Sequence, residues 1–370
     1  TLENATGTLE NILRQISEQA SRKADYIAPT DQIQVVTRDG NTNIVMEANR
    51  GLPTQQFITN EVAFNQLAAN CDLDVRTARR LRDNENYSRE FDNLVNKILV
   101  NEPKNKMLRT FDGEQPLVRA IVSDKFKTFD NVDLVQAALP QLLESDAQWQ
   151  IVNGTITDQR LYMRLKSKNQ IAEPAVGDLV SNGVMLRNSE TGHGSCEVSQ
   201  LIWTLACLNG MTSQNTSRHT HVTSARGTDE WSLLTNEAKE ADNVSLRLKL
   251  RDITASMADT ANFEKTVDQF RLAHGDIVEN GLANPSAVVD SVVQVLKLPK
   301  KAASDVMAGL MQTIQQAGYT NKPVSRATLV NAVTSVAHVS HDDNVDEWYS
   351  TGRQLLELPR NQWETIARAA

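Results

Sequence analysis

The sequence has no long apolar run, few cysteines and no positively charged leader. Its longest near-apolar stretch, Leu201–Leu208, is far shorter than the roughly 20 residues of a membrane-spanning helix. The three cysteines, Cys71, Cys196 and Cys207, cannot all pair, which is typical of proteins from a reducing compartment. We therefore expect a cytoplasmic protein with no membrane partner.

The sequence also lacks the short motifs of common catalytic sites. It contains no G-x-x-x-x-G-K-[ST], no G-x-G-x-x-G, no H-E-x-x-H and no G-x-S-x-G. These absences argue against P-loop nucleotide hydrolysis, dinucleotide-dependent dehydrogenation, zincin proteolysis and α/β-hydrolase chemistry. The sequence predicts no cofactor, and we expect a binding protein rather than an enzyme.

Charge is unevenly distributed along the chain. The net charge of −8 argues against a protein that wraps duplex DNA, because counterion release requires many lysines and arginines facing phosphate. Basic residues are nevertheless concentrated between 104 and 168, while helical segments after 228 are rich in Glu and Asp. We therefore expect a polarised molecule with one basic region on its sheet.

Hydrophobic periodicity divides the chain into three parts. Apolar residues at helical spacing between Leu9 and Ile16 predict an amino-terminal helical arm over residues 1–30. Strand and short-helix patterns predict an α+β body over 31–225, and helical patterns predict a carboxyl-terminal region over 226–370. The predicted fold class is α+β, with an antiparallel β-sheet body, short helices and a helical carboxyl-terminal region.

Turn residues position the first elements of the body. Asp39-Gly40 and Asp112-Gly113 each separate two β-branched runs, and such turns predict β-hairpins. Between the two hairpins, helical patterns lie near 60–70, 75–83 and 88–100.

The later elements follow from caps, prolines and alternation. A helix is expected to begin at the cap residue Asn131 and to be kinked or split at Pro140. Strand patterns then occupy 148–187, with Asn153-Gly154 and Asn182-Gly183 as turn or bulge signals.

Residues 66–81 have the pattern of a helix-turn-helix. The second helix would present Arg76, Arg79 and Arg80 to phosphates or guanine edges. The alternative is a packed helical hairpin whose arginines are solvated or paired with nearby aspartates. The turn lacks the usual glycine, so Asn70 is the candidate for a left-handed conformation.

A polar segment after the third strand carries two further possibilities. The turn 188–195 has glycines and exposed amides that suit either an anion-binding nest or a structural loop. Around it lie potential zinc ligands, although their spacing is poor for a zinc site. The candidate ligands are His193, Cys196, Cys207, His219 and His221.

Two basic strand segments predict a nucleic-acid site. Alternate strand residues share a face, so the basic residues of each segment would point together, and Phe126, Phe129 or Tyr162 could stack on bases. A solvated polar sheet face is the alternative explanation. The predicted phosphate contacts are Arg109, Arg119, Lys125, Lys127, Arg164, Lys166 and Lys168.

The order of several motifs resembles the phage/plasmid-like family called domain of unknown function 932, over roughly 55–370. The most specific pieces are Leu108-Arg109-Thr110, Arg119-Ala120-x-x-Ser123-Asp124-Lys125, Asn188-Ser189-Glu190-x-Gly192 and Cys207-x-Asn209-Gly210. Lys125-Phe126 stands where the family pattern is closer to Arg-Tyr. The resemblance implies a bacteriophage, plasmid or other mobile-element gene, with the host cytoplasm as its location. By looser analogy the strand-strand-helix order is similar to single-strand annealing recombinases.

Three functions remain open from the sequence. The first is a homo-oligomeric protein that binds single-stranded DNA and assists annealing or recombination without nucleotide hydrolysis. The second is an oligomeric protein-interaction or anti-host factor with no nucleic-acid ligand, whose acidic surface would engage host proteins. Its carboxyl-terminal helices offer an apolar face that could bury against a partner helix, formed by Val288, Val289, Val292, Val293 and Leu296. The third is an enzyme or zinc protein built on the 188–221 loops.

Overall fold

Two β-sheets, the helices that cover them and a helical carboxyl-terminal region make up the structure. The computed structural model describes residues 2–46, 54–205, 209–219, 235–316, 318–338 and 345–369. The predicted α+β fold is confirmed.

The first sheet has six strands in the spatial order β1-β5-β6-β4-β3-β2. Neighbouring strands are antiparallel except β4 and β6, which are parallel. A parallel pair needs a long crossover connection, and here three helices and β5 supply it. The strands are β1 (Lys23–Pro29), β2 (Ile33–Arg38), β3 (Asn41–Met46), β4 (Gln55–Thr59), β5 (Asn105–Phe111) and β6 (Leu117–Ser123).

Three short helices cover one face of this sheet, close to the predicted positions. They are α2 (Glu61–Asn70), α3 (Val75–Arg82) and α4 (Ser88–Asn101). Phe64 of α2 and Phe91 of α4 pack with Ile44, Phe57 and Leu108 of the sheet. The predicted hairpin turn forms at Asp39 and Gly40, whose φ angles of 50° and 75° are those of a left-handed turn between antiparallel strands.

The second sheet is a five-stranded antiparallel meander. Its strands are β7 (Trp149–Ile156), β8 (Leu161–Ala175), β9 (Asp178–Asn188), β10 (Cys196–Thr204) and β11 (Asn209–His219). One face is covered by α1 (Leu2–Arg22), α5 (Asn131–Glu144) and α6 (Asn236–Ala258). A Cβ atom on Gly154 would lie 2.2 Å from Ile12 Cδ1, so this glycine allows α1 to pack closely on β7.

The carboxyl-terminal helices bury an apolar core of their own and join it to the second sheet through Val180 and Ile202. They are α7 (Thr260–Gly275), α8 (Pro285–Val295), α9 (Ala302–Thr313), α10 (Arg326–Ser335), α11 (Val345–Leu356) and α12 (Arg360–Ala367). Within the part of the chain that the structure describes, no helix combines the length and the apolarity that crossing a membrane requires.

The valine face of α8 packs inside this chain and not against a partner. Val288, Val289, Val292 and Val293 are all buried in the carboxyl-terminal core. Their helical spacing predicted an apolar face correctly, but a spacing does not identify the surface that covers it. The sequence argument for a host-protein contact at these valines is therefore wrong.

Three local expectations differ from the structure. Residues Lys23–Pro29, expected within a helical arm, form strand β1, because they pair with β5 more than 75 residues further along the chain. The cap of α5 is Asp130 and not Asn131. Pro140 does not split α5, which continues past it to Glu144.

Candidate anion-binding site between the two sheets

The two sheets meet at a cluster of buried and half-buried charged side chains. Arg109 of β5 is fully buried, and its Nη2 atom lies 2.6 Å from Asp130 Oδ1 and 3.1 Å from Asp25 Oδ2. Its Nη1 atom donates to the backbone oxygen of Glu190, 2.8 Å away, in the turn after β9. Lys23, the first residue of β1, also pairs with Asp130. Arg109 therefore links β1, the start of α5 and the second sheet.

The pKa values of Asp130 and Arg109 favour their charged forms. Burial alone would raise the pKa of Asp130, but Arg109 and Lys23 outweigh that effect and hold it well below its usual range. Burial alone would lower the pKa of Arg109, but Asp130, Asp25 and Glu190 outweigh it and raise that pKa. Asp130 and Arg109 are therefore ionised at neutral pH and form an ion pair.

Glu190 occupies the position that an external anion takes at many helix termini. Its Oε1 atom accepts a hydrogen bond from the backbone nitrogen of Asn131, 2.5 Å away, in the first turn of α5. Its Oε2 atom accepts from Arg119 Nη1 on β6. A carboxylate is stabilised there by the helix dipole and by the unpaired backbone amides. The carboxylate of Glu190, in the turn of residues 188–195, thus acts as the anion that pairs with Arg119 of the first sheet.

The side chains of that turn bind mainly within the protein. Ser189 Oγ donates to the backbone oxygen of Gln159 at 2.7 Å and accepts from the backbone nitrogen of His193 at 2.8 Å. Thr191 Oγ1 donates to the same β7–β8 turn, and Gly192 has a φ of 82°. Of the two alternatives from the sequence, this geometry favours the structural loop.

A cavity of about 40 Å³ lies beside Arg119 and Glu190. Arg119 is 5% exposed, and its Nε and Nη2 atoms are buried without a hydrogen-bond partner. Asn60, the cap of α2, also lines the cavity, and its Nδ2 atom is likewise buried without a partner. The lining residues are Gln19, Asn60, Phe111, Leu117, Arg119, Asn131, Thr157, Asp158, Gln159, Arg160, Glu190 and Thr191.

Unsatisfied buried donors of this kind are uncommon, and each costs roughly 1–3 kcal/mol. Three of them lie on two residues that line one cavity, which makes the cavity a candidate site for oxygen acceptors. Arg160, which also lines the cavity, differs in having its donors engaged: Nε donates to the backbone oxygen of His193 at 2.8 Å and Nη1 to the Tyr162 hydroxyl at 2.9 Å.

Three of the seven predicted phosphate contacts are buried. Arg109 and Arg119 are held by the carboxylates described above, and Arg164 is 6% exposed with its guanidinium over the rings of Tyr162 and Tyr349, at 5.6 and 5.9 Å. Strand alternation predicts which residues share a face but not what covers that face. The expectation that these arginines line an open groove is therefore corrected.

The four predicted lysines keep contact with solvent. Lys168 is exposed, whereas Lys125, Lys127 and Lys166 are half-buried. Lys127 Nζ lies 3.0 Å from Asp242 Oδ2 of α6. The lysines do not join the arginines in one site, because Lys166 and Lys168 lie on the second sheet while Lys125 and Lys127 follow β6. The proposed stacking residues Phe126, Phe129 and Tyr162 are all buried.

Sequence reasoning missed the acidic half of the network and the amide of Asn60. Asp25 lies on an edge strand that was expected to be helical, and Asp130 was placed one residue before the expected cap. The sequence signal for Glu190 was present, since Asn188-Ser189-Glu190 is among the pieces that carry the family resemblance. Its partner on β6 is 71 residues away, so no local pattern indicates the pair.

The other two sequence motifs have different outcomes. The predicted helical pair at 66–81 exists, but Asp72 and not Asn70 adopts the left-handed conformation, with a φ of 54°. Arg76 and Arg80 are exposed, and Arg79 Nε lies 3.1 Å from Glu61 Oε2. DNA readout by this helix stays a prediction.

The zinc hypothesis is only partly covered by the described residues. Burial lowers the pKa of His193, and a hydrogen bond to Thr191 opposes that shift. Cys196 is 1% exposed in the core of the second sheet. Cys207, His221 and the side chain of His219 lie outside the described residues. Across the ranges that are described, no three His, Cys, Asp or Glu side chains are grouped as a metal site requires.

Comparison of this chain with protein-family models, with curated proteins and with solved structures finds no match. The resemblance to the phage/plasmid-like family and the looser similarity to annealing recombinases therefore stay predictions.

Proposed function

We propose that this protein binds its ligand through an anionic group that enters the inter-sheet cavity, and that it does so without hydrolysing nucleotide. One observation carries the proposal: Arg119 and Asn60 line the cavity and hold three buried side-chain nitrogens without acceptors. An anion with oxygen atoms supplies those acceptors, and charge-assisted hydrogen bonds of this type are roughly twice as strong as neutral ones.

Single-stranded DNA, predicted from the sequence, is our candidate for the molecule that carries this anionic group. It is favoured by the solvent contact of Lys125, Lys127, Lys166 and Lys168, since flexible lysines at the surface can approach phosphates outside the cavity. The predicted role in annealing or recombination, the homo-oligomer and the mobile-element origin depend on this candidate and remain part of the proposal.

Binding of a labelled single-stranded oligonucleotide over a salt series tests both steps. We expect an affinity that falls as salt rises, because phosphate contacts release counterions. Arg119→Met should weaken binding by about tenfold or more. Arg89→Met is the matched control, since Arg89 is an exposed arginine of α4 that does not line the cavity.

Binding that is absent at low salt overturns the DNA candidate. If Arg119→Met and Arg89→Met bind the oligonucleotide equally well, the cavity is not the binding site. The unfolding transition of each variant is measured in parallel, so that a loss of fold is not counted as a loss of binding.

A further inference from the structure

Arg119 has one edge of its guanidinium without acceptors, while its third nitrogen is engaged. Nη1 donates to Glu190, and the ring of Phe111 lies 4.6 Å from the guanidinium carbon, so the group is held at one end and on one face. The two nitrogens without acceptors, Nε and Nη2, lie on the same edge of the plane. Their parallel N–H bonds match the spacing of two oxygens on one carbon or phosphorus atom.

Asn60 adds a third donor whose identity is fixed by its neighbour. Asn60 Oδ1 accepts a hydrogen bond from the backbone nitrogen of Ala63, 2.9 Å away, as the cap of α2. A backbone N–H can only be satisfied by the amide oxygen, so the amide nitrogen Nδ2 must be the atom without a partner.

The cavity is small and its lining is electrically balanced. About 40 Å³ accommodates about three water-sized groups, since one water needs roughly 10–15 Å³ of such volume. The charged lining residues are two arginines, Arg119 and Arg160, and two carboxylates, Asp158 and Glu190. A single small group, held by the nitrogens of Arg119 and Asn60 that lack acceptors, therefore fits better than a bulky chain segment.

We infer that the group bound in this cavity is a terminal oxyanion with two adjacent oxygens, either a carboxylate or the end phosphate of a longer molecule, and not an internal phosphodiester; this inference rests on the proposed function. An internal phosphodiester carries two substituents that must leave in different directions. A terminal group needs one exit, which the exposed Thr157, Asp158 and Gln159 of the β7–β8 turn border.

Thermal unfolding of the full chain in acetate, orthophosphate or chloride at matched ionic strength tests the inference directly. Acetate, orthophosphate or both should raise the Tm with increasing concentration, because a ligand that binds only the folded state stabilises it. Arg119→Lys keeps a cation beside Glu190 but cannot donate two parallel hydrogen bonds, so it should abolish the rise in Tm. Asn60→Asp should also abolish it, because aspartate can still cap α2 while its second oxygen repels the anion.

Two oligonucleotides of one sequence, with and without a 5′-phosphate, complete the test. Binding of the phosphorylated strand that is stronger by about tenfold or more, and lost in Arg119→Lys but not in Arg89→Lys, identifies a terminal phosphate. A Tm rise in acetate with no such preference identifies a carboxylate ligand.

Equal binding of both strands, sensitive to Arg119→Lys, with no Tm rise in either anion, overturns the terminal-group inference and leaves the anion-binding proposal intact. No effect of any anion and no effect of Arg119→Lys overturns both.

Discussion

The carboxyl-terminal helices and the contact between the two sheets are both buried, but they are built from different chemistry. Every residue of α10 from Ala327 to Ser335 is buried, in a core of valine, leucine and aromatic side chains. The inter-sheet contact instead pairs three cations, Lys23, Arg109 and Arg119, with three carboxylates, Asp25, Asp130 and Glu190. The side chains of Lys23 and Asp25 are half-buried, and the other four are buried.

An apolar core and a charged network contribute differently to folding stability and to ligand recognition. Apolar side chains are interchangeable to the extent that they fill the same volume, so a helical core tolerates change but offers no directed groups to a ligand. Charged side chains require a specific partner for each donor and acceptor. The inter-sheet network leaves Nε and Nη2 of Arg119 without acceptors, and there we propose a binding site. Four experiments test how far the two contacts differ.

The largest effect is expected from Arg109→Met. Removing this cation leaves Asp130 and Asp25 as buried or half-buried carboxylates, and breaking a buried pair costs about 3–5 kcal/mol in the free energy of unfolding. Urea unfolding measures the change. Arg79→Met is the control, because the Arg79–Glu61 pair is exposed and such pairs contribute about 0–1 kcal/mol. Equal small losses would show that the inter-sheet network does not stabilise the fold.

Leu329→Ala probes the apolar contact. Leu329 is fully buried, so its truncation should lower the free energy of unfolding by about 2–5 kcal/mol through lost burial and a cavity. Leu272→Ala, at a site 74% exposed, should change it by less than about 0.5 kcal/mol. Anion binding by folded Leu329→Ala should match the parent protein, and a loss would show that the two contacts are coupled.

Acid should weaken the inter-sheet contact specifically. The pKa of Asp130 is lower in the folded than in the unfolded chain, so its contribution is present at pH values above the ordinary aspartate pKa of about 4 and is lost as pH falls through the folded pKa. The free energy of unfolding should therefore fall below about pH 4. Asp130→Asn should show a shallower fall over the same pH range. Identical slopes would mean that other carboxylates govern the acid sensitivity.

The smallest effect is expected at a polar group within the helical region. Ser325 caps α10, where its side chain accepts from the backbone nitrogen of Thr328, and Ser325→Ala should cost about 1 kcal/mol. Ser304→Ala is the control, because Ser304 is exposed and caps no helix start. Chemical denaturation compares the two. A cost near that of Arg109→Met would mean that the helical region also depends on a polar network.

Local patterns predicted most elements and few of the contacts. Asp39-Gly40, the helices near 60–100 and the strands of 148–187 follow from turn chemistry and periodicity, which act between neighbours in the chain. Strand β1 was missed because its identity depends on β5, a partner distant in sequence. Arg119 was predicted as a site residue, but at an open surface, because its partner Glu190 is also distant in sequence.

By itself the sequence determined the fold class, the order of the elements and the basic character of two strand segments, because these depend on residue type and short-range spacing. Only the tertiary structure decided that Arg109 is neutralised by Asp25 and Asp130, that Glu190 fills the start of α5, and that Arg119 keeps two donors beside a cavity with Asn60. The physical reason is that a charge becomes structural or functional according to the partners that folding brings within hydrogen-bond distance.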